Sequence, residues 1–244
     1  MRCGKNTGSV HGVIDFTLVR PDRPVAAPRA ARMLRVRLSG MPETLILPSD
    51  GTQHCAAEGE DWVCTLRPAD WRDSPVVDLN AADVQHALQP SFVAPSRHPR
   101  IEATAQGLGD VDGDGEALAR ALVDWIQANV RREAVDVFTA LDVLDGGRAE
   151  CQGHAYLYAA LARARGLPTR IVNGLVYAQG YEGFLYHTWA ESWVDGHWLP
   201  VDPTFGQVPV DATHIRLVDG ERLADLAPMT DAVGRVGIAI LEVR

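Results

Sequence analysis

The stretch GRAECQGHAYLYAALARARGLPTR, residues 147–170, joins a cysteine to a run of alanine and leucine with the composition of a helix. Cys151 lies at the head of this run, which ends at Gly166, with Pro168 just beyond, as helices commonly do. The first turn of a helix offers unpaired N–H groups and a partial positive charge, and both favour a thiolate. The pattern therefore allows Cys151 to be a nucleophile as well as a small residue of the core.

A second stretch, YHTWAESWVDGHWLPVDPT at residues 186–204, contains a base and an acid that such a nucleophile needs. Asp195–Gly196 predicts a two-residue hairpin turn, and centring the turn there places Trp189 opposite Asp202. His187 then shares the face of Trp189 and lies diagonal to Asp202, at a backbone distance of ~7–8 Å that their side chains can span. Packing of the cysteine helix against that face predicts a Cys-His-Asp triad.

The overall composition excludes several classes of function. The chain has 244 residues, a net charge of −9, 46% hydrophobic residues and 23% charged residues, which is typical of globular proteins. No Lys/Arg-rich run indicates nucleic-acid binding, and no apolar run reaches the ~18–20 residues of a membrane span. The first ten residues, MRCGKNTGSV, lack the apolar segment of a signal peptide. We therefore expect a cytoplasmic protein from the sequence as written, or a periplasmic one if the true start lies upstream.

Pattern changes along the chain predict three segments. Residues 1–77 form a β-rich N-terminal domain, because short alternating or apolar runs are separated by Pro, Gly and Asp-Gly signals. Residues 78–115 form a connecting segment over the surface, with three prolines in LQPSFVAPSRHPR. Residues 116–244 form an α+β core with a last strand at the C-terminus. The strands predicted in the first segment are VIDFTLVR (13–20), ARMLRVRLSG (31–40), ETLILPSDGTQ (43–53) and DWVCTLRP (61–68).

Two of the four cysteines bracket a predicted hairpin, CAAEGEDWVC. A turn at Gly59–Glu60 makes Cys55 and Cys64 cross-strand neighbours, close enough for a disulfide. We favour two unlinked strand residues, because a change of register by one residue separates them. No CxxC pair or Cys/His quartet predicts structural zinc, and we expect neither a resident metal nor a cofactor.

The segment DVDGDGE, residues 110–116, begins like the calcium loop of an EF-hand. Position twelve of such a loop is Ala121, where a bidentate glutamate is required. We interpret Asp110, Asp112 and Asp114 as an acidic start to the next helix, because negative charges stabilise the positive N-terminal end of a helix.

Three motifs, in order and at compatible spacing over roughly residues 116–210, resemble the transglutaminase-like superfamily: ECQGHAYLYAALARARGLPTRIVNGLVY, HTWAESWV and HWLPVDPT. The resemblance implies a papain-like α+β core, in which a cysteine-bearing helix packs on an antiparallel sheet. It implies Cys151 as nucleophile, His187 as base and acid, and Asp202 as the residue that orients the histidine. The run DPTFGQVPVDATHIRL and the β-rich region before the core are more similar to the bacterial members than to the animal cross-linking enzymes.

The oxyanion donors of related enzymes have no counterpart in this sequence. The animal enzymes carry a tryptophan before the cysteine and papain a glutamine, but Trp125 falls at a helix-core position and Glu150 directly precedes the cysteine. We expect the N–H of Cys151 to be one donor and leave the second unassigned. The calcium sites of the animal enzymes have no match either.

These patterns predict a thiol-dependent hydrolase of amide or peptide bonds, or an acyltransferase, that works through a thioester. We favour hydrolysis, because water is always present and no amine pocket can be identified in the sequence. The expected partner is a peptide or protein amide, with no nucleic acid and no membrane span, and the oligomeric state is left open. The alternative is a catalytically silent module of the same family that binds a peptide or protein.

Two further residues near the motifs have competing interpretations. His154, one turn after Cys151, could join His187 in a Cys/His metal site, but we favour a surface or cleft-lining histidine. Glu191 shares the face of His187 and is expected to pair with an arginine such as Arg170, as part of the scaffold.

Overall fold

The computed structural model describes residues 17–111 and 113–244, which form an α+β fold with two four-stranded antiparallel sheets. The strands are β1 (Leu34–Ser39), β2 (Gln53–Glu58), β3 (Asp61–Leu66), β4 (Arg131–Arg132), β5 (Arg148–Ala149), β6 (Thr169–Ala178), β7 (Gly183–Val194), β8 (His197–Val201), β9 (Ile215–Asp219) and β10 (Gly237–Val243). The α-helices are α1 (Ala82–His86), α2 (Pro99–Gly107), α3 (Gly115–Asn129), α4 (Ala140–Gly146), α5 (Cys151–Ala164) and α6 (Leu223–Thr230).

The N-terminal sheet has the strand order β10-β1-β3-β2 and contains the predicted hairpin. Glu58 pairs with Asp61, so the turn lies at Gly59–Glu60, and Cys55 pairs with Cys64 as the register predicts. The expectation that the two cysteines stay unlinked is wrong, because their sulfur atoms form a disulfide. The tight turn prevents the slip of register that would have separated them.

Removal of this disulfide is expected to lower the free energy of unfolding by about 2–3 kcal/mol, because the bridge closes a loop of about ten residues in the unfolded chain. Urea unfolding of the wild type with and without reductant measures the difference. The double variant Cys55→Ala/Cys64→Ala should match the reduced wild type and should not respond to reductant. Equal midpoints in all four samples would contradict the prediction.

The strand predicted over residues 43–53 is wrong for most of its length, since pairing begins only at Gln53. Leu45 and Leu47 are buried, but Pro48 has no N–H to donate to a ladder. The Asp50 carboxylate accepts a hydrogen bond from the Thr52 N–H, which stabilises a turn there instead. Residues 1–16 lie outside the described residues, and with them the first half of the strand predicted over residues 13–20. In its second half, Val19 forms an isolated antiparallel bridge with Phe184 of β7.

The last strand of the chain belongs to the N-terminal sheet. β10 pairs antiparallel with β1, although we assigned this last strand to the core segment 116–244. The segment 78–115, predicted as a connector, contains α1 and α2, and Ile101 and Ala105 of α2 are buried against the helices of the core. The three-segment division itself remains a prediction.

The acidic start predicted for the helix after residue 110 is formed by Asp114, whose carboxylate accepts hydrogen bonds from the N–H groups of Glu116 and Ala117 at the start of α3. Arg72 forms ion pairs with both Asp114 and Glu116. The Asp114 carboxylate therefore caps α3, and Arg72 holds both Asp114 and Glu116 at this helix start. Asp112 lies outside the described residues.

The second sheet, with the order β8-β7-β6-β9, positions the cysteine helix. Its core face packs against α5, and the helices α2, α3 and α4 cover the other side of α5. Small residues on α5, including Ala155, Ala159 and Ala162, are fully buried and allow close packing. The OH of Tyr158 and the Ser192 hydroxyl of β7 hydrogen-bond at 2.8 Å across this interface. None of the helices in the described residues combines the length and apolar character needed to cross a membrane.

Candidate active site

Cys151 is the first residue of α5, and the chain reaches it through a sharp change of direction. α4 ends at Gly146, and the next residue, Gly147, caps it with a left-handed φ of 60° that favours glycine. β5 then pairs parallel with β4 and leads directly into Glu150, the N-cap residue of α5. The Glu150 side chain makes no capping hydrogen bond, so it does not compete for the N–H groups of the first turn.

His187 and Asp202 meet as the hairpin register predicts. Val194 pairs with His197, and the ladder continues to Ala190 opposite Val201, after which Asp202 leaves β8. Nε2 of His187 lies 2.9 Å from Oδ2 of Asp202. The other carboxylate oxygen, Oδ1, accepts hydrogen bonds from the N–H groups of Thr204 and Phe205 at 2.7 and 3.2 Å, which anchor the carboxylate.

The sulfur of Cys151 completes the constellation. It is in hydrogen-bond contact with the ring of His187, and because Nε2 is engaged by Asp202, Nδ1 is the nitrogen that faces the thiol. The backbone N–H of Thr188 donates to the same sulfur. Burial raises the pKa of the Cys151 thiol, but the charge and hydrogen bond of His187 together with the Thr188 N–H lower it further, so that the net shift is downward.

The charges of the histidine and the aspartate stabilise each other. Burial lowers the pKa of His187, but the neighbouring Asp202 carboxylate and Cys151 thiolate outweigh it and raise this pKa to about 10. Burial likewise raises the pKa of Asp202, and His187 lowers it well below its usual range. The geometry therefore favours a thiolate–imidazolium pair over a neutral thiol and imidazole.

Two aromatic rings enclose the His187–Asp202 hydrogen bond. Phe205 stacks on His187 at a centroid distance of 5.0 Å with an interplanar angle of 9°, and Trp189 lies on the imidazole at 6.1 Å and 19°. Arg29 and Arg132 lie over the Phe205 ring, with guanidinium carbons at 4.6 and 5.3 Å from its centroid. These rings exclude water from the charged pair, which strengthens its electrostatic interactions.

Sequence reasoning missed two residues of this site. His214 directly precedes β9 and is buried, with Nε2 at 3.0 Å from the same Asp202 oxygen that His187 contacts. Phe205 directly follows the last motif, in the run DPTFGQVPVDATHIRL, whose similarity to bacterial sequences assigns it no role in the site. No regular sequence spacing predicts that either residue lies near His187, because both belong to an irregular segment between β8 and β9.

One group of three side chains in residues 17–111 and 113–244 is close enough to share a metal ion, namely His187, Asp202 and His214. Both imidazole Nε2 atoms already hydrogen-bond to Oδ2 of Asp202. Hydrogen bonding accounts for their spacing, and we assign no metal ligands here.

The remaining sequence-predicted residues have structural roles. His154 is buried, so the expectation of a surface or cleft-lining side chain is wrong. Burial of this polar ring is tolerated because its Nδ1 hydrogen-bonds to the Glu150 carbonyl one turn earlier. The prediction for Glu191 is confirmed, since it pairs with Arg170 at 2.5 Å and also with Arg216 at 2.7 Å. Trp125 packs partly buried against the helical core.

A cavity of about 380 Å³ lies beside the first turn of α5. Glu150, Gln152 and Gly153 contribute to its wall immediately next to Cys151. Most of the other lining side chains are apolar or aromatic: Phe92, Val93, Val135, Val137, Phe138 and Tyr156. Phe92 and Phe138 are 78% and 70% exposed, so the cavity has an apolar rim that is open to solvent.

Comparison with known proteins shows which family part of this chain resembles. Residues 102–203 match the family model described as the transglutaminase-like superfamily. An uncharacterized protein of Mycobacterium leprae is 28% identical over 132 residues, which cover 51% of this chain and 45% of that protein. The matched part of the chain thus spans less than half the length of this curated relative.

Two solved structures share the fold. A candidate cysteine protease from Cytophaga hutchinsonii aligns with a TM-score of 0.55 and 16% identity, over 87% of this chain and 88% of that one. The periplasmic domain of TgpA from Pseudomonas aeruginosa aligns with a TM-score of 0.52 and 18% identity, over 78% of this chain and 75% of that one. The family match over residues 102–203, the shared fold and the three motifs agree, and this part of the chain is similar to the core of the transglutaminase-like superfamily.

Proposed function

We propose that the protein is a thiol-dependent hydrolase of amide or peptide bonds, with acyl transfer to an amine as a variant of the same chemistry. The observation that supports this most directly is the contact of the Cys151 sulfur with a His187 ring whose other nitrogen bonds to buried Asp202. This arrangement supplies a nucleophile, a proton carrier and a group that orients the carrier.

In the first half of the reaction the Cys151 thiolate attacks the carbonyl carbon of the amide, and the carbonyl electron pair moves to oxygen. The N–H of Cys151 at the start of α5 is the donor that we assign to the resulting oxyanion. His187 then gives its Nδ1 proton to the departing nitrogen as the C–N bond breaks. The products are an amine and a thioester on Cys151.

In the second half, water attacks the thioester carbonyl and His187 takes one of its protons. The C–S bond breaks, the carboxylic acid product leaves and the thiolate–imidazolium pair is restored. An amine in the place of water gives a new amide by the same steps. We favour water, and we infer that the apolar cavity beside α5 receives a side chain of the peptide or protein substrate next to the amide.

The compartment is inferred from the disulfide. Disulfides persist in oxidising compartments and are rare in the cytosol, so the Cys55–Cys64 bond favours a periplasmic or extracellular location over the cytoplasmic one expected from the N-terminal sequence. The TgpA domain that shares the fold is periplasmic, which agrees with this inference.

The rate of Cys151 alkylation by iodoacetamide should reach its plateau at a lower pH than the rate of an ordinary thiol, whose pKa near ~8.5 leaves it only about 3% ionised at pH 7. The reason is that a lowered pKa leaves the reactive thiolate form of Cys151 present at lower pH. In His187→Gln the imidazolium is lost while burial remains, so the midpoint should rise above ~8.5 and the rate at pH 7 should fall at least about tenfold. Peptide mass spectrometry follows the modified cysteine.

The same experiment separates the enzyme from the silent binding module. A matched control is His86→Gln, which removes an exposed histidine and should leave the profile unchanged. If wild-type Cys151 titrates near ~8.5 or fails to react, the nucleophile assignment is wrong and the binding module becomes the better account.

A further inference from the structure

His214 faces hydrogen-bond acceptors at both ring nitrogens. Its Nε2 lies 3.0 Å from Oδ2 of Asp202, and its Nδ1 lies 3.1 Å from the carbonyl oxygen and 3.4 Å from Oδ1 of Asp211. Carbonyl and carboxylate oxygens accept hydrogen bonds, whereas a neutral imidazole has only one N–H to donate. Both nitrogens must therefore carry hydrogen for these contacts to be favourable.

The protons cannot be assigned to the carboxylates instead, because those groups are already surrounded by donors. Asp202 accepts at both oxygens, from two backbone N–H groups at Oδ1 and from the histidines at Oδ2. Asp211 accepts from Arg29 at 2.6 Å, from Gln207 at 2.8 Å and from the N–H of Thr213 at 2.8 Å. Such donor sets stabilise the ionised form of a carboxyl.

We propose that His214 is a positioning residue of the site, a buried imidazolium that holds the Asp202 oxygen that His187 also contacts and tunes the proton affinity of the Cys151–His187 pair. Its role in catalysis rests on the proposed function, but its charge state does not. Burial lowers the pKa of His214, and its hydrogen bonds to the two carboxylates raise it by more, in agreement with the geometry.

The charges around His214 set the direction of this effect. The His187 ring lies 5.9 Å away, so an imidazolium at His214 opposes the charge on His187. Asp202 and Asp211 flank the His214 ring, and Arg29 forms an ion pair with Asp211. Glu191 and Arg216 line a small void together with His214 and Trp189. More charged groups lie farther from His214. Arg132 lies over the Phe205 ring. The ion pairs of Glu191 and Arg216 are completed by Asp50, Arg170 and Asp219.

Two carboxylates, Asp202 and Asp211, are thus matched by two cations, His214 and Arg29. The Cys151–His187 pair then lies against a cluster with no net charge. Without the charge of His214, Asp202 would act on the pair as an unopposed anion. It would raise the pKa of His187 and, more weakly because the sulfur is farther away, that of Cys151.

The direct test is ¹⁵N NMR of the full chain labelled at its histidines, which reports the protonation of each ring nitrogen without any substrate. We expect His214 to show two protonated nitrogens at pH 7, above the ordinary histidine pKa of ~6.5, with its signals identified by their absence in His214→Gln and by correlation to its backbone. A single protonated nitrogen at pH 7 would overturn the proposal. This measurement stands even if Cys151→Ala leaves activity unchanged, which would refute the proposed function alone.

The functional test compares His214→Gln, which retains a donor for Asp202 without the charge, with His214→Phe, which retains only a ring. In both variants the pH midpoint of Cys151 alkylation should rise, by on the order of half to one pH unit. His214→Gln should retain more amidase activity than His214→Phe. A lower Tm with an unchanged midpoint in both variants would show a merely structural role and contradict the tuning, and His86→Gln is again the control.

Discussion

Cys151→Ala is expected to lower kcat/KM for a peptide or amide substrate by at least about a thousandfold, because no other group near His187 can form the covalent intermediate. Cys151 is the cysteine outside a disulfide in the described residues, and it is only partly buried. The substitution removes one sulfur atom from a helix whose other contacts are made by its buried residues. The Tm should therefore change little while the activity is lost. Steady-state kinetics and a thermal melt of the same preparation measure both quantities.

The matched control for this loss is Cys55→Ala/Cys64→Ala, which removes cysteines from the N-terminal sheet and should retain activity at a temperature where the variant is folded. Cys151→Ser tests the chemistry more closely. Its hydroxyl keeps the size of the side chain, but its pKa is too high for His187 to hold it ionised, so activity should remain at least about a hundredfold below the wild type. Full activity of Cys151→Ala would exclude the thioester route.

The residues that sequence reasoning located are those whose positions depend on local rules. Two-residue turns fix hairpin register, so the pairing about Asp195–Gly196 and about Gly59–Glu60 could be read from the sequence alone. The start of α5 at Cys151 and its end near Gly166 follow in the same way from helix signals. Together these rules bring His187 and Asp202 into contact before any long-range packing is considered.

The features that were missed depend on contacts between distant parts of the chain. The pairing of β10 with β1 joins residues about 200 positions apart, and no turn signal specifies such a partner. His214 reaches Asp202 through the irregular segment before β9, which includes a cis peptide bond at Val208–Pro209. The buried Arg216, paired with Glu191 and Asp50, was missed for the same reason, since Asp50 lies far away in the N-terminal segment.

Gly174→Ala is expected to have a large effect on stability, because the backbone of β9 lies directly against Gly174 of β6. A Cβ atom on Gly174 would lie 2.0 Å from the carbonyl oxygen of Ile215 and 2.9 Å from the Trp189 ring. The pairing of β6 with β9 shifts register between Asn173 and Gly174, which leaves the backbones little freedom to separate. Because the nearest atom belongs to a backbone, no side-chain rotation relieves the clash.

We expect this substitution to cost about 3 kcal/mol of unfolding free energy or more, and to lower the Tm by about 6–12 °C. Since Ile215 directly follows His214, any displacement of β9 also moves His214 away from Asp202, so the alkylation profile of Cys151 should change in the same variant. Gly180→Ala is the matched control, because a Cβ there meets no atom within 4 Å. If calorimetry gave the two variants the same Tm, the claim that β9 lies directly against Gly174 would be wrong, as would the claim that this contact holds His214 in place.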